Sequence, residues 1–290
     1  MLLIFRLAAF IFVSLYGLGT QFLVIPFNAN ELSIGSHPTL KGLSSLNPAL
    51  YSAEKNNPSF SISRGSWIGD VSLSSFGYNH YLKNKTFYFG ARYSGLSNLE
   101  YRVSKPQDEP LAYFSSYGLS IKSGFSFDKD NIKYGVSLSY VSMGIYTEMS
   151  SGISLGFGFL VSSIRGLRLG ASIQNIGIMS VLENDSPKLP IRLLIGSSKL
   201  FALSNFTNTI YTSAELNAVS ESFKYKYSFG NKFNWKQLGL LSGISISKKS
   251  NYLSLGINLN IKQYQIAYGI NIGSQNFGIP HMISLKLDMP

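Results

Sequence analysis

A two-residue alternation of apolar and polar side chains runs from about Ser59 to Met289, and this pattern constrains the fold more than any other feature. Every second residue from Ile132 to Tyr140 is apolar, and the residues between them are Lys, Gly and Ser. The same pattern returns from Leu253 to Ile261. Because successive side chains of a strand point to opposite faces, the chain predicts a long series of β-strands with one apolar and one polar face.

Alternation alone fits either a soluble sandwich or a barrel, so the composition of the polar face is needed to distinguish them. That face consists of Gly, Ser, Asn, Thr and Gln, with few of the Glu and Lys residues that solvate an exposed sheet. Small polar residues suit a crowded lumen. No segment after Ser59 resembles a capped amphipathic helix, and closure removes the edges of a long sheet. The sequence therefore predicts an all-β fold, a closed transmembrane antiparallel β-barrel.

Turn signals divide the alternating region into about 14 strands, an even number of the kind found in bacterial outer-membrane barrels. The predicted strands are Ser59–Arg64, Asp70–Tyr81, Thr86–Ser94, Tyr113–Phe127, Ile132–Met143, Met149–Ser162, Leu167–Asn175, Pro190–Leu200, Thr207–Leu216, Ser222–Asn231, Gln237–Ser247, Asn251–Ile261, Gln263–Ile272 and Pro280–Met289.

The connections between these strands fall into two classes. The three longest gaps, Gly95–Ala112, Ile176–Leu189 and Gly273–Ile279, all follow odd-numbered strands, whereas the tight links follow even-numbered ones. Outer-membrane barrels have short periplasmic turns and longer outer loops. We therefore expect a barrel in the bacterial outer membrane with its N-terminus in the periplasm.

The chain divides into three parts. Residues 1–19 are predicted to be a signal peptide, with Arg6 before an apolar core at Leu7–Leu18, although an uncleaved anchor is the alternative. Residues 20–57 do not alternate, and we expect them to form a plug inside the barrel; a loose periplasmic leader is the alternative. Residues 58–290 form the predicted barrel.

Composition limits the chemistry. The absence of Cys excludes disulfides, thiolate metal sites and Cys nucleophiles. The net charge of +11 would permit nucleic-acid binding, but the basic residues are scattered, so we expect no nucleic-acid partner. Lys129, Lys188, Lys248 and Lys249 at strand ends suit membrane lipid or lipopolysaccharide phosphates, and over-use of Lys in this chain explains them equally well.

A catalytic site is the weaker hypothesis. The run Gly152–Gly156 matches the G-x-S-x-G pattern of serine hydrolases, but it lies within a predicted strand rather than at a strand-to-helix turn. The three histidines are His37, His80 and His281, and they are far apart in sequence. We expect no enzyme activity, no cofactor and no metal site. The hypothesis that remains to be tested is a pairing of Ser154 with His281.

Short runs near the two ends of the chain carry a family resemblance. The order Phe22-Leu-Val-Ile-Pro, then Ala29, then Ile34-Gly35 and Asn47-Pro48-Ala49-Leu50, resembles the opening of PorV and PorQ proteins, relatives of the FadL transporters, and the last run is closer to PorQ. The ending Pro280-His281-Met282-Ile283-Ser284-Leu285 is similar to the closing strand of the family. The resemblance implies a 14-stranded outer-membrane barrel with an N-terminal plug. It also implies a role in type IX secretion, with a sortase-like protein, other secretion proteins and secreted cargo as partners.

Two functions follow as expectations. The first is a non-enzymatic accessory of type IX secretion, with Asn47, Pro48 and Ala49 as the plug motif and Lys105, Asp108 and Glu109 as a partner-contact loop. The second is a FadL-like channel for hydrophobic molecules, which needs an apolar pocket and a movable plug. Inward-facing apolar residues could line that pocket or pack against the plug; they are Leu160, Leu194 and Leu241.

Overall fold

Fourteen antiparallel strands close into a barrel in which each strand pairs with its sequence neighbours and β1 pairs with β14. The computed structural model describes residues 19–41, 46–51, 58–83, 85–102, 108–163, 165–219, 222–248, 250–275 and 278–289. The strands are β1 Ser59–Ser66, β2 Ser72–Leu82, β3 Lys85–Tyr101, β4 Ala112–Lys129, β5 Ile132–Ile145, β6 Glu148–Ser162, β7 Leu167–Met179, β8 Ile191–Ala202, β9 Phe206–Val219, β10 Ser222–Trp235, β11 Leu238–Ser247, β12 Asn251–Ile261, β13 Tyr264–Gly273 and β14 His281–Asp288. The predicted fold class is confirmed.

Helical structure is short. The α-helix α1 spans Ala29–Ile34, and 3₁₀ helices span Thr20–Val24, Pro48–Leu50 and Ile68–Asp70. Among the described residues, no helix has both the length and the apolar character needed to cross a membrane.

Closure depends on the ladder between β1 and β14, which runs from the pair Ser59–Asp288 to the pair Ser66–His281. This ladder gives hydrogen-bond partners to the two strands that would otherwise be sheet edges. A chain in hydrocarbon needs such closure, because lipid cannot bond to open backbone groups.

The two faces of the wall differ as the alternation predicts. Outward positions carry exposed Leu, Ile, Phe and Tyr, for example Leu138, Ile195 and Tyr227, and this apolar surface extends around the whole barrel. Inward positions carry buried small polar residues such as Ser137, Ser154 and Ser254. A continuous apolar surface of this size is unstable in water and matches the outward band of a membrane barrel.

The longest connections all lie at one end of the barrel. Turns after even-numbered strands are short, such as the two-residue link 130–131, and we call that end the short-turn end. The long connections 102–111 and 180–190 follow odd-numbered strands at the opposite, long-loop end. The sorting is therefore as the sequence predicts, while the assignment of the short-turn end to the periplasm stays a prediction.

The largest difference from the predicted boundaries is in β3, which continues to Tyr101 rather than ending at Ser94. The β3–β4 register shifts between Leu96 and Leu99, and Asn98 there has a φ of 58°. A bulge of this kind keeps the two strands paired although the alternation is broken. Prediction from the alternation alone therefore placed the end of β3 too early.

A second bulge lies in β7. Between the pairs Leu155–Ile176 and Phe157–Ile173, β7 has one residue more than β6, and Asn175 has a φ of 61°. The β7–β8 ladder ends at Gln174 and Arg192, while β7 continues beside β6 to Met179. The wall is thus less regular at this point than elsewhere in β7.

The outward face of β12 gives a test of membrane placement. We expect Leu255→Arg, at the middle of the strand, to lower the free energy of unfolding in lipid vesicles by about 2–4 kcal/mol, because the charge enters the hydrocarbon centre. The matched control Ile261→Arg, at the end of the same strand, is expected to cost about 0–1 kcal/mol. Denaturant unfolding followed by the fluorescence of Trp67 and Trp235 measures both; equal costs would contradict the placement.

Candidate functional site

The site with the most specific contacts is the interior of the barrel, which is occupied by residues 19–41 and 46–51, termed the lumen segment. Helix α1 contacts β10 to β14, and the 3₁₀ helix Pro48–Leu50 contacts β4 to β6. All of these contacts fall on the face whose side chains are small and buried. The lumen segment therefore reaches both sides of the inner wall.

Helix α1 forms because its ends are capped. The Asn28 side chain accepts a hydrogen bond from the Glu31 amide at 2.9 Å, and the Glu31 carboxylate accepts one from the Phe27 amide. The helix stops after six residues at Gly35, whose φ of 96° suits only glycine well. Its first amide, from Ala29, donates to the Ser284 hydroxyl of β14 at 2.8 Å.

Glycines on the inner wall allow the lumen segment to approach the backbone of the strands. A Cβ added to Gly243 would lie 2.3 Å from the Ile34 carbonyl oxygen, and one on Gly158 would lie 2.0 Å from the Asn47 side chain. The same close approach holds on most strands. The further glycines whose added Cβ would meet the lumen segment within 3.0 Å are Gly118, Gly124, Gly135, Gly170, Gly196, Gly230, Gly256 and Gly269.

The motif Asn47-Pro48-Ala49 lies within this contact. Asn47 is fully buried; its amide nitrogen donates to the carbonyls of Pro38 at 2.8 Å and Phe159 at 3.1 Å. Its amide oxygen accepts from the Ala49 backbone at 2.9 Å. One side chain thus joins two parts of the lumen segment and attaches both to β6.

Arg92 holds the first part of the lumen segment. This inward residue of β3 donates to the carbonyls of Phe22, Leu23 and Ile25 at distances of 3.1, 3.1 and 2.8 Å. Its guanidinium also lies 5.2 Å from the centre of the Phe27 ring. Hydrogen bonds from a charged donor to three carbonyls fix a segment that has little regular structure of its own.

A buried ion network holds the next part. Glu215 of β9 pairs with Arg192 of β8 at 2.6 Å and with Lys226 of β10 at 2.7 Å. Arg192 also donates to the Ser36 hydroxyl at 2.7 Å, and Ser213 donates to the Ser36 carbonyl at 2.6 Å. Three neighbouring strands therefore converge on one residue of the lumen segment.

Two titratable groups of the lumen segment have pKa values shifted by burial. Desolvation raises the pKa of Glu31, an effect that the positive charge of Arg92 partly offsets. Desolvation lowers the pKa of His37 to about 4. The His37 Nε2 lies 3.1 Å from the Ile34 carbonyl, while its buried Nδ1 has no hydrogen-bond partner among the described residues. Neutral His37 is the form that the interior favours.

A small cavity lies between the lumen segment and the wall. Its volume is about 20 Å³, which is room for about one water molecule. Apolar Leu23 and Phe27 line one side, while the wall contributes Tyr88, Gly90, Ala91, Arg92, Ser120, Lys122 and Asn175. Lys122 donates to Gln174, and Gln174 in turn donates to the Leu46 carbonyl, so the cavity adjoins the β7 bulge.

The predicted site residues lie at two different places. Asn47, Pro48 and Ala49 are buried inside the barrel. Asp108 and Glu109 are exposed in the connection between β3 and β4 at the long-loop end, and Lys105 lies outside the described residues, as does the predicted signal peptide up to residue 18. A role of this loop in partner contact, and the division at residues 19 and 57, stay predictions.

Two of the three inward leucines pack against the lumen segment, which was the alternative to lining a pocket. Leu160 packs with Ala49 and Leu50, and Leu241 packs with Ile34 and Leu40. Leu194 is fully buried. In the structure as it stands, Leu160 and Leu241 contact the lumen segment rather than an open pocket.

The Ser154–His281 pair is not assembled. Ser154 is buried on the inward face of β6, whereas His281 lies exposed on the outward face of β14 beside Tyr268. Side chains on opposite faces of the wall cannot exchange a proton directly. Within the described part of the chain, no cluster of three or more His, Asp and Glu residues could hold a metal ion.

Sequence reasoning missed Arg92, Arg192 and Glu215, which hold the lumen segment. A signal was present, because each is a charged residue at an inward position among small neutral ones. Their partners could not be found from the pattern, since Arg92 and Phe22 are 70 residues apart and Arg192 and Ser36 are 156 apart.

Two solved structures of hydrocarbon channels have the same architecture as this chain. A TodX deltaS2S3 mutant, a monoaromatic hydrocarbon channel, superposes with a TM-score of 0.65 at 11% identity, covering 91% of this chain and 98% of that one. CymD, also a monoaromatic hydrocarbon channel, gives 0.66 at 11% identity with the same coverage. At this identity the likeness establishes the fold alone. No protein-family profile and no curated protein sequence matches the chain.

Removal of the Glu215 carboxylate from the buried ion network should lower the stability of the protein. We expect Glu215→Gln to lower the free energy of unfolding by about 3–5 kcal/mol, because Arg192 and Lys226 keep their charges without the carboxylate. Denaturant midpoints measure the loss, with the exposed Glu148→Gln as control. A loss no larger than that of the control would show that the cations find other partners.

Acid should loosen the lumen segment through His37. Its pKa is about 4 in the folded protein and about 6.5 when unfolded, so the stability it contributes is complete above about pH 6.5 and is lost as the pH falls towards 4. The loss amounts to roughly 3 kcal/mol at the acid end. Hydrogen exchange of residues 32–37 between pH 7.5 and 4.5, normalised to the pH dependence of the intrinsic exchange rate, tests this; His37→Gln should reduce the remaining pH dependence, to which Glu31 also contributes, and an unchanged pH dependence in that variant would contradict the assignment.

Proposed function

We propose that the protein is an outer-membrane channel for hydrophobic small molecules and that the lumen segment is its gate. The observation that carries the proposal is the superposition on TodX and CymD over nine tenths of the chain. Both of those proteins are monoaromatic hydrocarbon channels. Uncharged hydrocarbons are therefore the substrate class that we infer first.

The contacts and the small free volume inside the barrel support a closed state of the channel. The lumen segment touches the wall backbone at glycines on most strands, and the cavity beside Leu23 and Phe27 holds about one water molecule. A benzene-sized molecule needs more room than this, since an apolar cavity that binds benzene measures about 150 Å³. Passage therefore requires the lumen segment to shift.

The lumen segment is held by two sets of contacts, and the set around Arg92 adjoins the small cavity. Around Arg92 the segment is held by hydrogen bonds to its backbone carbonyls, beside the cavity and near the β7 bulge. Around Ser36 it is held by a buried ion network that joins β8, β9 and β10. We infer that the part near Leu23 and Phe27 moves and that the part near Ser36 stays attached.

Type IX secretion stays a separate prediction. It derives from the resemblance to PorV and PorQ, and neither the barrel architecture nor the similarity to hydrocarbon channels supports it. A sortase-like partner and secreted cargo belong to that prediction alone.

Gating can be tested by cross-linking, because the natural chain has no Cys to interfere. Leu23→Cys with Ser120→Cys would join the segment to the wall at the cavity that both residues line, and Ser36→Cys with Ser213→Cys would join it where Ser213 already bonds to Ser36. Any bridge, by disulfide or by a short bifunctional reagent, is verified by mass spectrometry. We expect the first bridge to lower uptake of labelled toluene by cells about tenfold and the second to have little effect.

The controls separate the outcomes. The single variants Leu23→Cys and Ser120→Cys, treated identically, should transport normally, and cleavage of a disulfide bridge should restore uptake. Equal uptake by cells with and without the barrel would overturn the channel. Loss of surface attachment of type IX cargo on deletion of the gene, with normal toluene uptake, would favour the secretion role instead.

A further inference from the structure

The outward wall carries a groove that neither the lumen segment nor the proposed channel explains. It lies across β6 to β10 and has a volume of about 590 Å³, within the range of small-molecule sites. Most of its lining is apolar. The outward side chains around it belong to Phe159, Val161, Leu169, Ala171, Ile195, Ser197, Thr212, Ala214, Tyr227 and Phe229.

The groove exists because small residues occupy neighbouring outward positions. Ala171 and Ala214 both pair with Ile195, and Ser197 pairs with Thr212. Larger side chains flank them, with Phe159 on one side and Tyr227 on the other, each more than two fifths exposed. An outward face otherwise built from Leu, Ile, Phe and Tyr is therefore locally hollow.

Polarity changes stepwise along the groove. Ala171, Ile195 and Ala214 form an apolar row across the strands. One row nearer the short-turn end, Ser197 and Thr212 share a hydrogen bond of 2.9 Å between their outward hydroxyls. Rows are separated by two residues, or about 6.7 Å along a strand.

The next row carries a positive charge. Lys199 is the outward residue that follows Ser197 on β8, and its Nζ donates to the Arg165 carbonyl of the turn between β6 and β7 at 2.6 Å. The side chain thus extends towards the short-turn end, as expected for a lysine that carries its charge to the membrane surface. Asn231 lies on the same cross-strand row, next to Ile210.

We propose that this groove is a binding site for one membrane phospholipid. Its phosphate lies beside Lys199, its ester groups lie at the Ser197 and Thr212 hydroxyls, and an acyl chain fills the hollow over Ala171 and Ala214. The order of cation, hydroxyl pair and apolar floor follows the order of groups in such a lipid. Basic side chains at the membrane surface attract lipid phosphates, and hydrocarbon fills apolar concavities that face the bilayer.

Native mass spectrometry of the purified full chain tests the site with two probes that share their acyl chains, dioleoyl phosphatidylglycerol and dioleoylglycerol. Lys199→Gln should weaken binding of phosphatidylglycerol about fivefold and leave dioleoylglycerol unchanged, because only the first probe has a phosphate. Ala214→Leu should weaken both about tenfold by filling the hollow.

Each matched control makes the same type of substitution at a position outside the groove. Ala218→Leu places the same side chain outward on the same strand but beside Ile191, outside the groove, and Lys262→Gln removes a charge at another short turn. Both should bind as the unaltered protein does. Circular dichroism checks the fold of each variant, and Ala171→Leu is a second variant that fills the same hollow.

Three results would overturn the proposal. Unchanged binding of both probes to Ala214→Leu and Ala171→Leu would show that no chain occupies the groove. An equal loss in Ala218→Leu would show only general lipid contact. A dimer of the unaltered protein that Ala214→Leu disrupts would identify a second copy of the chain as the occupant.

Discussion

Hydrocarbon offers no hydrogen bonds to a peptide backbone, and the rest of this structure depends on meeting that constraint. The ladder between β1 and β14 satisfies it by joining the ends of the sheet, so that each strand has a partner on both sides. Closure in turn creates two surfaces with opposite requirements. The outward surface must be apolar, and the enclosed one must be filled by protein or by water.

The space inside the barrel is filled by protein, and glycines, which have no side chain, contribute to this as much as the residues with side chains do. Glycines at Gly158, Gly243 and comparable positions bring the lumen segment into contact with the wall backbone. In such close packing, the polar atoms of the lumen segment need specific hydrogen-bond partners. Arg92, Ser36 and Asn47 take part in these hydrogen bonds. Close packing and directional bonds therefore act on the same segment, which gives the interior one defined arrangement.

The barrel was largely predictable from the sequence because each strand has its own period-two pattern, and the short turns can be recognised locally. The pattern failed at Asn98, where a bulge interrupts the alternation without ending the strand. The interior was less predictable. Inward Gly and Ser indicated a crowded lumen, but the contacts of Arg92, Arg192 and Glu215 join residues far apart in sequence, and a periodic pattern contains no information on such pairs.

The hydrogen bond from Ala29 to Ser284 spans 255 residues of sequence, which has a consequence for how the molecule assembles. Ala29 meets its partner only when β14 is in place, and the ion network around Ser36 likewise requires β8, β9 and β10 to be paired. Long-range pairing of this kind slows folding, since chain entropy is lost before native contacts compensate for it. A segment whose partners come together last must stay free of other contacts until then, so assembly of this barrel depends on protection of the lumen segment until the strands have paired.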